Sequence, residues 1–175
     1  VVLRSKNTLD AVLSYLALLQ TGARLLPLNP QLPQALCEAL LPQLDIGFVL
    51  DLTQSPLPLP LASLTLQNAY CGQAVQWQPQ RLATLTLTSG SRGLPKAAAH
   101  TAAAHLASAA GVLNLIPFTR NDSWLLSLPL FHVSGQGIIW RWLTAGATLV
   151  LAEGQPLEAA LAECSHASLV PTQLW

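Results

Sequence analysis

Hydrophobic and polar positions alternate along this chain with two periods, and the periods take turns. Val1–Leu3 is a short continuous apolar run, the mark of a buried strand. Leu9, Val12, Leu13, Leu16 and Leu19 then recur at i, i+3, i+4, i+7 spacing, which predicts an amphipathic helix. Gly22 is placed to close that helix as a left-handed cap, and Ala23–Leu28 reads as the next strand. Asn29-Pro30 breaks the chain, Gln34–Leu41 predicts a second helix, and Gly47–Leu50 a third strand. The order β-α-β-α-β is that of a parallel sheet covered by helices. Asp51–Gln80 differs: it has four prolines, no formal charge after Asp51, and one short predicted strand at Ser63–Gln67.

The alternation resumes with strand Leu82–Leu87 and an Ala-rich helix over His100–Leu115. Strand Trp124–Leu128, helix Gly135–Leu143, strand Thr148–Leu151, helix Pro156–Glu163 and strand Ala167–Val170 follow. The expected organisation is a first β-α-β-α-β portion over 1–52, a Pro-rich crossover over 53–80, and a second α/β portion over 81–175. The expected class is α/β, with two mostly parallel sheets covered by helices. Leu19–Leu26 and Leu143–Val150 echo one another, each a helix end, a glycine and a returning strand. Repeated supersecondary physics explains this better than a solenoid, because the period is far too long.

Composition narrows the function classes. Apolar residues make up 51% of the 175 and charged residues only 9%, with zero formal net charge. A free-standing soluble domain carries about 25% charged residues. The thin charge, mean hydropathy of +0.44 and absence of methionine lead us to expect an internal fragment of a longer protein, with faces that meet further chain. Zero net charge gives no footprint for nucleic acid or an anionic membrane. The apolar stretches Ala97–Pro117 and Trp124–Trp140 are interrupted by polar residues and proline, so no membrane span is expected. Cys37, Cys71 and Cys164 form no CxxC pair, and reduced, mostly buried thiols in the cytoplasm are the expected state. His100 and His105, five apart, do not share a helical face, so no zinc site is expected there.

The densest chemistry lies in Leu85-Thr-Leu-Thr-Ser-Gly-Ser-Arg-Gly-Leu-Pro-Lys96. A strand empties into two glycines and three hydroxyl residues, then a lysine. Gly90 and Gly93 allow a sharp turn and close approach to a ligand, and consecutive amides in such a turn form an anion nest. Thr88, Ser89 and Ser91 add hydroxyls and Lys96 a point charge, so a di- or triphosphate is the natural guest. The common P-loop is disfavoured: Pro95 precedes the lysine and Ala97 follows it, where that loop needs glycine before and a metal-binding hydroxyl after. Proline biases Leu94 toward extended backbone, which suggests Lys96 at the end of a flexible arm. The rival explanation is a surface Gly/Ser hairpin with a solvated lysine.

This loop resembles the signature of the adenylate-forming acyl-CoA synthetases, relatives of luciferases and of peptide-synthetase adenylation domains. Ser127-Leu-Pro-Leu-Phe-His-Val-Ser-Gly135 and Leu169-Val-Pro-Thr172 resemble two further motifs of that family, in family order. Within it, Trp124–Trp142 and Pro171-Thr-Gln-Leu-Trp175 are most similar to the o-succinylbenzoate–CoA ligases of menaquinone biosynthesis. The resemblance implies part of the large N-terminal domain of a ligase that uses ATP, Mg²⁺ and coenzyme A on a carboxylic acid. Thr88, Ser89, Gly90, Ser91, Gly93 and Lys96 would then hold the β- and γ-phosphates. Arg92 departs from the pattern, which has Thr, Ser or Glu there. It can meet phosphate bidentately or crowd the loop. The family's metal-binding acid, ribose-binding aspartate and adenylation lysine fall beyond Trp175, so the isolated chain is expected to be inactive.

Substrate contacts are expected at His132, Ser134, Gly135, Arg141 and Thr172. His132 stands at a predicted strand end, where ligands gather in open α/β sheets, and by resemblance gates the tunnel for the CoA arm. A histidine packed under a loop is the alternative. Arg141 lies between Trp140 and Trp142 and is the only formal charge between Asp122 and Glu153. A guanidinium beside indoles suits a planar carboxylate, by resemblance the one the enzyme does not activate; a buried pair with Asp122, or with a residue of the expected further chain, is the alternative. Thr172 lines the adenylate pocket by resemblance or caps a helix. Another acyl- or aryl-CoA synthetase of the same superfamily, a non-catalytic folding or interaction fragment, and a homo-oligomer are left open, while Pro95-Lys96-Ala97 argues against a phosphate-loop hydrolase or kinase.

Overall fold

The computed structural model describes residues 1–67, 76–88 and 94–174, in two compact units, Val1–Ala102 and Ala103–Trp175. In the first unit, β1 (Val2–Arg4), α1 (Leu9–Gln20), β2 (Leu26–Leu28), α2 (Gln34–Leu40) and β3 (Phe48–Asp51) follow the predicted order, and β4 is the dipeptide Ala62–Ser63. They make a parallel sheet of order β2-β1-β3-β4. The short strand expected at Ser63–Gln67 thus sits earlier, where Ala62 and Leu64 amides bond Gly47 and Val49 carbonyls.

Thr8 caps α1, its hydroxyl accepting from the Ala11 amide at 3.2 Å, and Gly22 ends it at φ +77°. The buried stripe is Ala11, Val12, Ser14 and Tyr15. Leu9 and Leu13 of the expected apolar stripe are about half exposed, because the helix packs on the sheet through its smaller residues and Tyr15. The core of this unit gathers Val2, Leu26, Leu28, Cys37, Leu41, Val49 and Leu85.

Downstream the pattern was misleading. β5 (Leu82–Thr88) is followed by a further strand, β6 (Lys96–Thr101), before α3 (Ala102–Leu113) begins. The two strands pair antiparallel, from Leu82 opposite Thr101 to Thr88 opposite Lys96. The helix predicted from His100 therefore starts two residues later, and Lys96 belongs to a ribbon and not to a flexible arm. Alanine favours helix, but the ladder to β5 satisfies the backbone of Ala97–Ala99 and overrides that preference. The ribbon joins the sheet at Leu25, which exchanges amide bonds with Ala83 (2.9 Å) and Leu85 (2.6 Å).

In the second unit, β7 (Ser123–Leu125), α4 (Val133–Ala145), β8 (Thr148–Val150), α5 (Leu157–Ala162) and β9 (His166–Ala167) build a parallel sheet of order β8-β7-β9. Trp124 is buried on β7, with Phe118 edge-on at 4.9 Å and His166 tilted against it at 5.4 Å. α4 ends on Gly146 at φ +64°, matching Gly22 and explaining the internal echo. Among the described residues no helix is long and apolar enough to cross a membrane. Cys37 is buried and Cys164 partly so; Cys71 lies outside the described residues.

Candidate functional site

The phosphate-loop candidate lies in sequence between the paired strands β5 and β6. Ser89, Gly90, Ser91, Arg92 and Gly93 lie outside the described residues, but both stems are placed. Thr88 and Lys96 are cross-strand partners, both exposed, and the Thr88 hydroxyl donates to the Lys96 carbonyl at 3.3 Å. Antiparallel pairing brings directly opposite side chains within about 5.5 Å at Cβ. A hydroxyl and an ammonium thus stand on paired, exposed residues at the end of a strand pair tied to the first sheet. The pairing leaves seven residues, 89–95, between the two stems. The segment is flanked by two paired strands, whereas a P-loop joins a strand to a helix.

At the carboxyl ends of β1 and β3, Arg4 makes a buried ion pair with Asp51 at 2.8 Å. Its Nη1 also donates to the Thr53 hydroxyl and the Ser55 carbonyl, and its Nη2 to the Pro30 carbonyl at 2.5 Å. Burial raises the Asp51 pKa, but bonds from the Thr53 hydroxyl and amide, Arg4 and the Leu57 amide outweigh that and hold it below the usual carboxylate range. One buried cation thereby ties the loops after β2 and β3 to the end of β1. A cleft of about 490 Å³ lies beside it, lined by Arg4, Lys6, Thr8, Gln31 and Thr53 among others. Sequence reading did not single it out, although charged residues at two strand ends, Arg4 and Asp51, were the available signal.

In the second unit, α4 carries most of the other candidates. His132 is its N-cap, exposed; its backbone amide bonds the Pro129 carbonyl at 3.0 Å and its ring lies 4.7 Å from Phe131. Its ring nitrogens meet no partner among the described residues, so the packed-histidine alternative does not describe it. Gly135 is buried, and a Cβ there would overlap the carbonyl oxygens of Pro129 and Leu128, the latter at 2.5 Å. Its first role is therefore to let α4 start against the loop that leads into it. Ser134, Gly137 and Arg141 recur at i, i+3, i+7 and share one helix face, opposite the buried Ile139.

Arg141 is half-buried, and desolvation lowers its pKa. Its Nε donates to the Gly137 carbonyl at 2.8 Å, and its Cζ lies 4.6 Å from the Trp124 ring centroid. Among the described residues no carboxylate reaches ion-pair distance of it, so the expected alternative partner, Asp122, is not one. Asp122 instead accepts from the Thr119 amide and hydroxyl at 2.8 Å. The flanking indoles also point elsewhere: Trp140 stacks on His105 at 5.0 Å, and Trp142 Nε1 donates to the Ala147 carbonyl at 2.9 Å. Helix neighbours differ by about 100°, so the aromatic partner had to come from another element. Sequence adjacency could not reveal Trp124.

Thr172 is exposed in a 3₁₀ turn, Pro171–Gln173, whose N-cap is Val170; it is not the cap. The Gln173 side chain accepts from the Val170 amide at 2.9 Å and donates to the Ser127 carbonyl at 3.3 Å. The Ser127 hydroxyl bonds the Ser168 carbonyl. The segments leading to His132 and to Thr172 are thereby joined side by side. Among the described residues no group of three His, Cys, Asp or Glu side chains gathers as a metal site.

The chain is 61% identical over all 175 residues to 2-succinylbenzoate–CoA ligase of Salmonella typhimurium, covering 38% of that protein. It is 46% identical over 97% of its length to the ligase of the same name from Haemophilus influenzae, covering 35% of it. A solved variant of Escherichia coli MenE with bound OSB-AMS superposes at TM-score 0.94 with 60% identity, over 99% of this chain and 39% of that one. Bacillus subtilis o-succinylbenzoate coenzyme A synthetase in complex with AMP superposes at 0.88 with 25% identity, over 99% and 49%. The chain spans about two fifths of the length of the curated relatives it matches. Residues 1–174 match the AMP-binding enzyme family without a break, the glycine-loop stems, the His132 segment and the Thr172 turn all within them, and the chain belongs to that family.

Proposed function

We propose that this chain is the phosphate- and acyl-binding part of an AMP-forming acid–CoA ligase. Its reaction converts o-succinylbenzoate, ATP and CoA into o-succinylbenzoyl-CoA, AMP and diphosphate, on the route to menaquinone in the cytoplasm. The observation that carries this reading is the 61% identity to the Salmonella ligase across every residue of the chain. The ribbon stems support it, since Thr88 and Lys96 frame a turn of the composition that a polyphosphate needs.

In the first half-reaction a carboxylate oxygen attacks the α-phosphorus of ATP. The bond from that phosphorus to the bridging oxygen breaks, and diphosphate leaves with the electron pair. The acid is already ionised at pH 7, so no base is required. The chain's contribution is electrostatic and positional: Lys96, Thr88, Ser89 and Ser91, with the amides of Gly90 and Gly93, hold the β- and γ-phosphates where charge develops on the leaving group. Mg²⁺ enters with the nucleotide as part of the substrate and offsets phosphate charge. In the second half-reaction the CoA sulfur attacks the acyl carbon, AMP departs, and the thiol proton is lost to solvent.

Arg141 is the reader of the second carboxylate of o-succinylbenzoate, the one on the ring. Its Nε is held by Gly137 and its face by Trp124, which leaves the Nη edge for a planar anion. His132, Ser134 and Gly135 begin α4 at the acyl end of the site, with His132 gating the CoA arm, and Thr172 lines the adenylate pocket.

The test is a chimera in which this chain replaces the matching 175 residues of the Salmonella ligase. It should form o-succinylbenzoyl-CoA and AMP in equal amounts, whereas the 175-residue chain alone should form neither. A folded chimera that releases ADP, or that accepts other acids and not o-succinylbenzoate, refutes the reading.

A further inference from the structure

α4 holds two glycines near its start, and they are there for different reasons. Gly135 is demanded by main chain, as described above. Gly137 is not: its backbone is ordinary helix, and the nearest neighbours of a Cβ built on it belong to the Arg141 guanidinium, with Nη2 at 3.0 Å and Cζ and Nε both at 3.9 Å. Alanine is the better helix former, so glycine here lowers helix stability with no compensating turn or close main-chain approach.

The guanidinium is what fills the space. Long helical side chains lie back over the preceding turn, and Arg141 does so, reaching the Gly137 carbonyl with Nε at 2.8 Å. In that pose its plane is carried to the Trp124 ring, Cζ at 4.6 Å from the centroid. Two contacts thus restrain the group, a hydrogen bond at Nε and an aromatic face. Among the described residues the two Nη nitrogens make no hydrogen bond, and these form the edge that reads a carboxylate bidentately. A methyl at 137 would make Nη2 give way by a few tenths of an ångström, and a branched side chain would displace the fork further from the indole.

We propose that Gly137 is a specificity-determining positioning residue: its missing side chain reserves the berth in which the Arg141 guanidinium lies between the Gly137 carbonyl and Trp124. The inference rests on the reading of Arg141 as the carboxylate reader, and it adds that the choice of a two-carboxylate acid is set one helical turn before the arginine. An arginine alone on this face, without the berth, would sample other rotamers and lose the planar register that a bidentate contact needs.

The experiment has two arms. In the first, Gly137→Ala, Gly137→Val and Arg141→Ala are made in the chimera, and kcat and KM are measured for o-succinylbenzoate and for 3-benzoylpropionate, which lacks the ring carboxylate. Gly137→Val should raise KM for o-succinylbenzoate at least tenfold and Gly137→Ala about threefold. Both should leave kcat, and KM for 3-benzoylpropionate, within about twofold. Gly137→Ala should also raise the urea midpoint, opposite in sign to its effect on KM. Equal losses on both acids, or an unchanged ratio in both glycine variants while Arg141→Ala changes it, would overturn the role of Gly137. An unchanged ratio in Arg141→Ala would overturn the reading of Arg141 itself. In the second arm, NMR of the 175-residue chain follows the Arg141 side-chain protons, which the Trp124 ring should shift upfield. Loss of that shift in Gly137→Ala, the mildest change, supports the berth even if Gly137→Val fails to fold; a shift unaltered in Gly137→Ala refutes it.

Discussion

Replacing Gly135 with alanine probes the packing that sets the start of α4. The added carbon would lie 2.5 Å from both the Leu128 oxygen and the Pro129 carbonyl carbon, where an ordinary carbon–oxygen contact is about 3.3 Å. The Pro129 oxygen would be closer still; these are main-chain atoms and cannot swing aside, so the helix must retreat by at least about 0.8 Å. Ile138 and Ile139 are fully buried on the same side, and a gap of that size forfeits about a quarter to a half of the dispersion they gain. Overpacking of this kind costs about 1–3 kcal/mol, and the unyielding backbone places it at the upper end. Against this stands about 1 kcal/mol gained because alanine is the better helix former. The net expectation is about 2 kcal/mol of destabilisation, or a Tm lowered by roughly 4–8 °C for a chain of this size. Urea and thermal unfolding followed by tryptophan fluorescence measure it. Gly111 in α3 is the internal control, since a Cβ there meets nothing within 4 Å, and Gly111→Ala should stabilise by about 0.5–1 kcal/mol. A Gly135→Ala chain as stable as the parent, or more so, would refute the reasoning.

Asp51→Asn leaves Arg4 buried without its counter-charge and should cost about 3 kcal/mol at neutral pH, read from the urea midpoint. Because the folded Asp51 pKa is depressed, its contribution is complete above the ordinary carboxylate value of about 4 and is lost as pH falls through the lower folded value. The parent should therefore lose stability steeply below about pH 4, and Asp51→Asn should flatten that limb; parallel acid titrations would contradict it. Lys96→Ala in the chimera should raise KM for ATP about tenfold through loss of one charge-assisted contact, with KM for o-succinylbenzoate unchanged.

The order of strands and helices was legible because burial imposes its period on the sequence: β1, α1, β2, α2 and β3 stand within a few residues of their predicted limits. The glycines at 22 and 146 were legible for a conformational reason, since both adopt positive φ at a helix end. The second strand of the ribbon was not. Lys96–Thr101 is alanine-rich, and only pairing with Leu82–Thr88 makes it extended, a long-range fact absent from any local window. The orientation of α1 was equally hidden, because its leucines and its small-residue stripe compete for the sheet and the structure buries Ala11 and Tyr15. For the site, residue types announced themselves and their neighbours did not. Arg141 stood out as a lone charge in an apolar stretch, yet its partners, Gly137 and Trp124, come from one turn back and from β7. Gln173 binding Ser127 across the second unit had no sequence signal at all.

The central claim is that this chain cradles ATP's polyphosphate while a carboxylate attacks the α-phosphorus. Exchange of labelled diphosphate into ATP by the chimera, without CoA, isolates that half-reaction. The account predicts exchange that requires o-succinylbenzoate and falls when Lys96 is replaced by alanine. A folded chimera that shows no exchange, while the parent Salmonella ligase exchanges in the same assay, would contradict it.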